Sequence, residues 1–295
     1  MSERDTFRLV GPRDTPPRLR QKRAWYQGLP ICSCVVLALI LLGCAFCSWF
    51  LTRDPSYMAL SDCNTPPCRE YLFGTDAMGR DIFTMIWYGG RVSLCIGLLS
   101  TLISTVLAVL LGSLSGCAPR RLDAALMRLT EILLSVPSLL LTVLLQAVLG
   151  EANVLSISLV IGLTGWTSIA KVVRTEVRQL RASEYVLAAR AMGGGFFHIL
   201  RQHLAPNFAS SISFMVVMNI RSAILAESTL SFMGIGLPLE IVSWGSMLSL
   251  ADQSILSGCW WSILIPGAFL VASLLCITEL ANALRSRDGG RQSNL

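Results

Sequence analysis

Histidine and lysine are nearly missing from this chain, with two of each in 295 residues, and charged residues of every kind make up only 14%. Soluble domains carry about a quarter charged residues. A chain this poor in charge cannot cover itself with water-facing groups, so much of its surface has to meet lipid. The shortage of lysine also removes the usual phosphate-binding loop, which needs a lysine directly after a glycine. Here Lys22 follows Gln21 and Lys171 follows Ala170, so nucleotide hydrolysis in that form is excluded. Both histidines, His198 and His203, fall in one short segment between apolar runs. No apolar run therefore supplies a Ser–His pair or a His–metal set, and there is no His-Glu-x-x-His motif. Neither a catalytic residue nor a metal site is predicted.

Apolar residues fill the space that charge leaves, at 53% of the chain. Six runs are long enough to cross a bilayer, which takes about 20 residues of helix. They cover residues 29–51, 92–118, 132–149, 154–170, 208–233 and 259–278. Only the fifth contains charge, in Arg221 and Glu227, and it also holds Asn219. Backbone polar groups in hydrocarbon must be satisfied within their own segment, so the runs are expected as helices of an all-α, six-span membrane protein. Basic residues collect in alternate loops, nineteen on one side against four on the other. That bias predicts both termini in the cytoplasm, with the chain passing several times through a plasma membrane. The net charge of +6 then reads as topology, not as a nucleic-acid partner.

Residues 1–28 are basic and lack apolar periodicity, as expected of a flexible cytoplasmic tail. Residues 29–287 form the membrane domain, and residues 288–295 a second tail. Leu41-Leu42-Gly43-Cys44 looks like a lipoprotein cleavage box, but the apolar run continues past Cys44, so an uncleaved first span is predicted. Eight of the ten cysteines lie in apolar runs as packing residues. Cys63 and Cys68 flank Asn64-Thr65-Pro66-Pro67 in the external segment 52–91. There a disulfide can persist, and a bridge and two free thiols are both open. The second run places Ser100, Ser104, Ala108, Gly112 and Gly116 four residues apart. That spacing puts them on one helix face, where another backbone can approach closely.

Segment 171–205 is too long for a tight turn and too patterned for a linker. Tyr185, Ala188, Ala189 and Met192 recur at helical spacing, and Glu184 suits the positive end of that helix. Gly193-Gly194-Gly195 ends it, and a second short helix over 196–204 is expected to stop before Pro206. The result is a helix–turn–helix outside the membrane whose small apolar face meets either another protein or lipid headgroups.

This segment resembles the coupling motif of ABC-importer permeases. Ala188-Ala189, Gly193 and Pro206 match at the right spacing, while Leu187, His203 and Ala205 depart from the general pattern. The form Glu184-Tyr185-Val186-x-Ala188-Ala189-Arg190-Ala191-x-Gly193 is similar to that of the dipeptide/oligopeptide/nickel branch. Gly74-Thr75-Asp76-x2-Gly79-Arg80-Asp81, followed by Gly89-x-Arg91-x-Ser93-Leu94, resembles an external signature of that branch's C-type permease. Met85 stands where the branch often has arginine. Ile224-Leu225-Ala226-Glu227, Leu230-Ser231-Phe232-x-Gly234-x-Gly236 and Ser243-Trp244-Gly245 resemble its fifth-span exit.

The resemblance implies a type I importer subunit in a bacterial inner membrane. It implies pairing with a second homologous permease, two cytoplasmic ATPases carrying ATP and magnesium, and an external substrate-binding protein. This chain would carry no cofactor of its own. Its substrate would be a di- or oligopeptide, nickel or a metal chelate. The alternatives are an ion-coupled carrier acting alone, with Arg221 and Glu227 as its charge-handling groups, and a membrane scaffold. Arg221, Glu227 and Asn219 are expected along the translocation pathway, with Arg221 facing either the path or the partner permease.

Overall fold

The computed structural model describes residues 30–292 apart from 52–53, 194, 239 and 253–257. The tail predicted over 1–28 lies outside the described residues, while helix continues through most of the second predicted tail, to Gln292. The described residues form helices α1 (Ile31–Phe50), α2 (Ile82–Cys117), α3 (Arg120–Ser135), α4 (Ser138–Leu149), α5 (Val154–Gly165), α6 (Thr167–Leu180), α7 (Glu184–Ala191), α8 (Phe196–Ile199), α9 (Ala205–Phe232), α10 (Trp244–Asp252) and α11 (Trp261–Gln292). Among them there is no β-strand, only an isolated bridge between Thr75 and Asp81.

Among the described residues, three helices are long and apolar enough to cross a membrane: Ile31–Trp49, Ile82–Cys117 and Trp261–Ser286. The third and fourth predicted spans are broken. α3 and α4 pass the same test only as a pair bent by 96°, and α5 and α6 as a pair bent by 46°. The first break has a local cause. Pro137 disfavours the helical conformation at the residue before it, and Val136 is extended at φ −91°, ψ 131°. The fifth predicted span is one continuous 28-residue helix, α9, which carries Arg221 and Glu227 and is not among the helices that pass this test.

α2 is the central post. Its 36 residues reach roughly 54 Å, well beyond the thickness of a hydrocarbon core. The predicted small-residue face is buried throughout, at Ser100, Ser104, Ala108, Gly112 and Gly116. It lies against α5 and α6. A Cβ added at Gly112 would sit 2.7 Å from the carbonyl oxygen of Ala170, and one at Gly116 2.7 Å from Val177 Cγ1. Higher on α2, Gly97 is pressed against Ile224 of α9 and Gly90 against Trp244 of α10.

The second short helix does not stop before Pro206. α8 runs through a π-helical stretch, Leu200–Leu204, straight into α9, with Pro206 in the first turn of the latter. The wider turn is visible in the bond from the Ala205 N–H to the carbonyl of Leu200, five residues back. Pro206 has no N–H to donate to the preceding turn, and the wider π turn lies where that α-helical bond is missing.

Gly112→Val should force α2 away from α6. Overpacking of this kind costs about 1–3 kcal/mol, so the variant's heat-aggregation midpoint in detergent should fall clearly below that of Gly267→Val within α11, where an added Cβ comes no closer than 3.9 Å to Leu248. Equal midpoints would remove the seam as a packing constraint.

Candidate functional site

The external signature builds a capped turn. Asp76 accepts from the N–H groups of Met78 (2.9 Å) and Arg80 (2.8 Å), and its second oxygen accepts from Arg80 Nε at 2.8 Å. Arg80 is almost fully buried. Asp81 caps α2 through the N–H groups of Phe83 and Thr84 and accepts from the Thr84 hydroxyl at 2.6 Å. Gly74 and Gly79 take left-handed φ values of +77° and +73°, and a Cβ at Gly79 would overlap the Ala59 carbonyl. Trp261 Nε1 donates to the Thr75 carbonyl at 3.1 Å, tying the turn to α11. Arg91 is exposed, while Met85 is buried in the core beside Ile40 and Trp244. Cys63 and Cys68 are free thiols. The Cys63 thiol donates to the Leu60 carbonyl, and the Cys68 sulfur accepts from the Tyr71 N–H, each at 3.4 Å.

Glu227 is fully buried and does not line an open path. Its carboxylate accepts from the hydroxyls of Ser93 (3.0 Å), Ser231 (2.9 Å) and Ser228 (3.4 Å). Ser93 Oγ in turn accepts from the Trp244 N–H at 3.3 Å, and Trp244 Nε1 donates to the Ile86 carbonyl at 3.0 Å. The fifth-span motif is thus a lock joining α2, α9 and α10. Its glycines let the chain close over the lock: a Cβ at Gly236 would lie 2.4 Å from Ser231, and one at Gly245 2.6 Å from Ser228.

Asn219 does face an open cleft of about 380 Å³ between α4, α5 and α9. The cleft is lined by Ser138, Thr142, Thr164, Asn219, Ser222 and Thr229 among apolar neighbours. Asn219 Nδ2 also donates to Ser104 Oγ on α2. Arg221 lies about 200° around the helix from Asn219 and does not line this cleft. Its Nε is buried without a hydrogen-bond partner among the described residues. The three residues predicted for one pathway therefore occupy three different settings. The hydroxyls of the cleft went unremarked in the sequence, although Asn219, Ser222, Ala226 and Thr229 repeat at helical spacing.

At the far end of α2, α7 hangs between α6 and α8. Val186 and Ala189 are buried against Val173, Val177, Leu200 and Phe208. Ala189 therefore packs inward, against the expectation of an outward docking face. Glu184 and Met192 are exposed, Met192 to 82%. Gly193 turns at φ +85° with nothing near its absent Cβ. The side chains of Tyr185, Ala188 and Pro206 lie outside the described residues.

Below α2, Asp123 of α3 receives Arg174 Nη2 at 2.8 Å, with Arg174 Nε, Arg178 and the Ser115 hydroxyl also donating to it. The Arg174 bonds hold the Asp123 carboxyl well below the usual carboxylate range, and Ser115 and Arg178 add to the effect against the opposing desolvation.

A model of the family "binding-protein-dependent transport system inner membrane component" matches residues 108–287, the part of the chain that holds the coupling segment, the residues lining the cleft, and Glu227. The chain belongs to this family. Its members are transport subunits, not enzymes. The dipeptide transport system permease protein DppC of Bacillus subtilis is 37% identical over 227 residues, 77% of this chain and 71% of that protein. The oligopeptide transport system permease protein OppC of the same organism is 33% identical over 273 residues, 92% and 87% of the two chains. A putative peptide transport system permease protein of Brucella suis is 35% identical over 274 residues, 92% and 89%. This chain is thus a permease subunit of an ABC importer, located in a membrane.

The depressed Asp123 carboxyl sets a sign for pH dependence. A carboxyl whose folded pKa is lowered contributes stability that is present above its unfolded value of about 3.9 and is lost as pH falls through the folded value. Asp123→Asn should therefore be clearly less heat-stable than the native chain at pH 7, and the gap should narrow below about pH 4. A gap independent of pH would show that the charge on Asp123 is not what holds α3 to α6.

Proposed function

We propose that this chain is the C-type permease subunit of an importer for di- or oligopeptides in a bacterial plasma membrane. In this reading residues 132–149 and 154–170 each make one crossing within a bent pair, α3 up to Glu131 stays at the membrane surface, and α9 completes six spans, with both termini in the cytoplasm. The chain pairs with a second, homologous permease, and an external binding protein delivers the substrate. Two ATPases supply ATP and magnesium chemistry, and no cofactor resides on this chain. The observation that carries the reading is α7, a short helix mounted outside the bundle with Met192 and Gly193 at an open tip. Peptide relatives align over most of the chain.

The cleft favours peptide over nickel. Hydroxyls and one carboxamide offer both donors and acceptors, as peptide groups require. Nickel prefers imidazole, thiolate or carboxylate, and no group of three such residues is placed to hold a metal among the described residues. A lone carrier would need Arg221 and Glu227 on a shared path, whereas Glu227 is sealed inside the serine lock.

Force from the ATPases would enter at the α7 tip and pass into α9, because α8, the π-helical stretch and α9 form one continuous rod. Met192→Asp and Gly193→Asp should insert normally yet fail to retain the ATPases on purification. A carboxylate desolvated at that contact without a partner costs about 1–3 kcal/mol or more. Full recovery of the ATPases and full peptide uptake with either variant would sink the assignment. Arg221 is proposed to meet an acidic group on the partner permease, so Arg221→Gln should lose that partner on purification. An intact complex with altered uptake would return Arg221 to the pathway.

A further inference from the structure

Between α3 and α6 lies a cavity of about 700 Å³, within the size range of small-molecule sites. Five guanidinium groups line it, from Arg120, Arg128, Arg174, Arg178 and Arg181, against the two carboxylates of Asp123 and Glu131. Asp123 is matched by Arg174 and Arg178. Arg128 meets Glu131 at 3.1 Å, but its side chain is 82% exposed. Arg181 spends one N–H on the carbonyl of Gly116. Arg120 has no ion pair among the described residues. Three positive charges remain in excess. Two elements, α3 and α6, converge their arginines on this one open pocket.

The neighbouring surface indicates depth. α3 has three sides: Asp123 and Thr130 face inward, Arg120, Arg121, Arg128 and Glu131 form a charged row, and Leu122, Leu129 and Ile132 form an exposed apolar row. A helix with an unpartnered apolar row beside a basic one lies in the plane of the membrane surface, at the level of the headgroups. An arginine cluster at that depth suits a phosphate diester, since a guanidinium can donate two parallel bonds to phosphate oxygens.

We propose that this cavity binds the headgroup of an anionic phospholipid and so fixes the α3–α6 corner, from which α7 projects, to the membrane surface. This rests on the orientation proposed above. The whole transporter in nanodiscs of phosphatidylcholine with phosphatidylglycerol, followed by native mass spectrometry, reads the number of anionic lipids retained. Arg120→Gln combined with Arg128→Gln leaves the Asp123 cluster untouched and should reduce retained phosphatidylglycerol by about tenfold or more. Arg121→Gln, on the same helix but outside the cavity lining, should retain it. Undiminished lipid in the double variant would overturn the proposal, as would an equal loss in Arg121→Gln. Displacement of phosphatidylglycerol by inorganic phosphate would assign the cavity to a soluble anion instead. Loss of the ATPases with lipid retained would make it a protein contact. Labelling of Arg121→Cys, in a chain whose ten native cysteines are replaced by serine, by an impermeant maleimide from outside the cell would defeat the orientation alone and leave the lipid count standing.

Discussion

A carboxylate inside an apolar bundle must be surrounded by donors, and the rest of this structure is arranged around the way Glu227 meets that demand. Unpaired burial of such a group would cost far more than the chain's marginal stability allows. Serines on two helices converge on it, and Ser93 passes the connection to the backbone of Trp244. The bond from Trp244 Nε1 to Ile86 then returns to α2. α2, α9 and α10 are thereby fixed in one register near the N-terminal end of α2. The glycines near 236 and 245 follow from this closeness, because any side chain there would push the serines off the carboxylate.

Toward its other end α2 uses a different device. Lipid supplies no hydrophobic force between helices, so association there depends on close packing and polar contacts. The seam from Ser100 to Gly116 brings α6 within backbone contact, and the bond from Asn219 to Ser104 ties α9 to the same face. The N-terminal half of α2 is therefore held by a polar knot and its C-terminal half by small residues. The hydroxyl-lined cleft opens beside the second region, where helices are held by fewer directional bonds and have more freedom to separate.

Much of this was legible in the sequence, for identifiable reasons. The runs that became α1, α2 and α11 are uniformly apolar, and the seam follows from a spacing of four alone. The breaks in the third and fourth runs were missed because a hydropathy window averages over Pro137 and Gly165. Pro206 was read as a stop because local preference favours one; the π-helical turn ahead of it shows tertiary packing of Leu200, Leu204 and Phe208 overriding that preference. Helical spacing grouped Ala189 with Met192, but periodicity cannot say which neighbours claim a face, and α6 and α9 claim Ala189. Charge alone placed Glu227 beside Arg221, since the serines that bury Glu227 include one 134 residues away. The cluster around Asp123 has the same character, with partners more than fifty residues distant.

The two sides of α7 differ in stiffness in a way that suits a lever. On the entering side, α6 is held twice, by the α2 seam and by the guanidinium groups of Arg174 and Arg178 on the buried Asp123. Moving α6 would break charge-assisted bonds around a carboxylate whose one other hydrogen-bond partner among the described residues is Ser115. On the leaving side, α8 and the π-helical stretch are continuous with α9 and rest on apolar contacts that can slide. π-helical turns inside a helix are favoured places for it to bend. A push on the tip at Met192 and Gly193 would therefore leave α6 in place and be taken up by α9, the helix that carries Asn219 into the cleft and Glu227 into the lock.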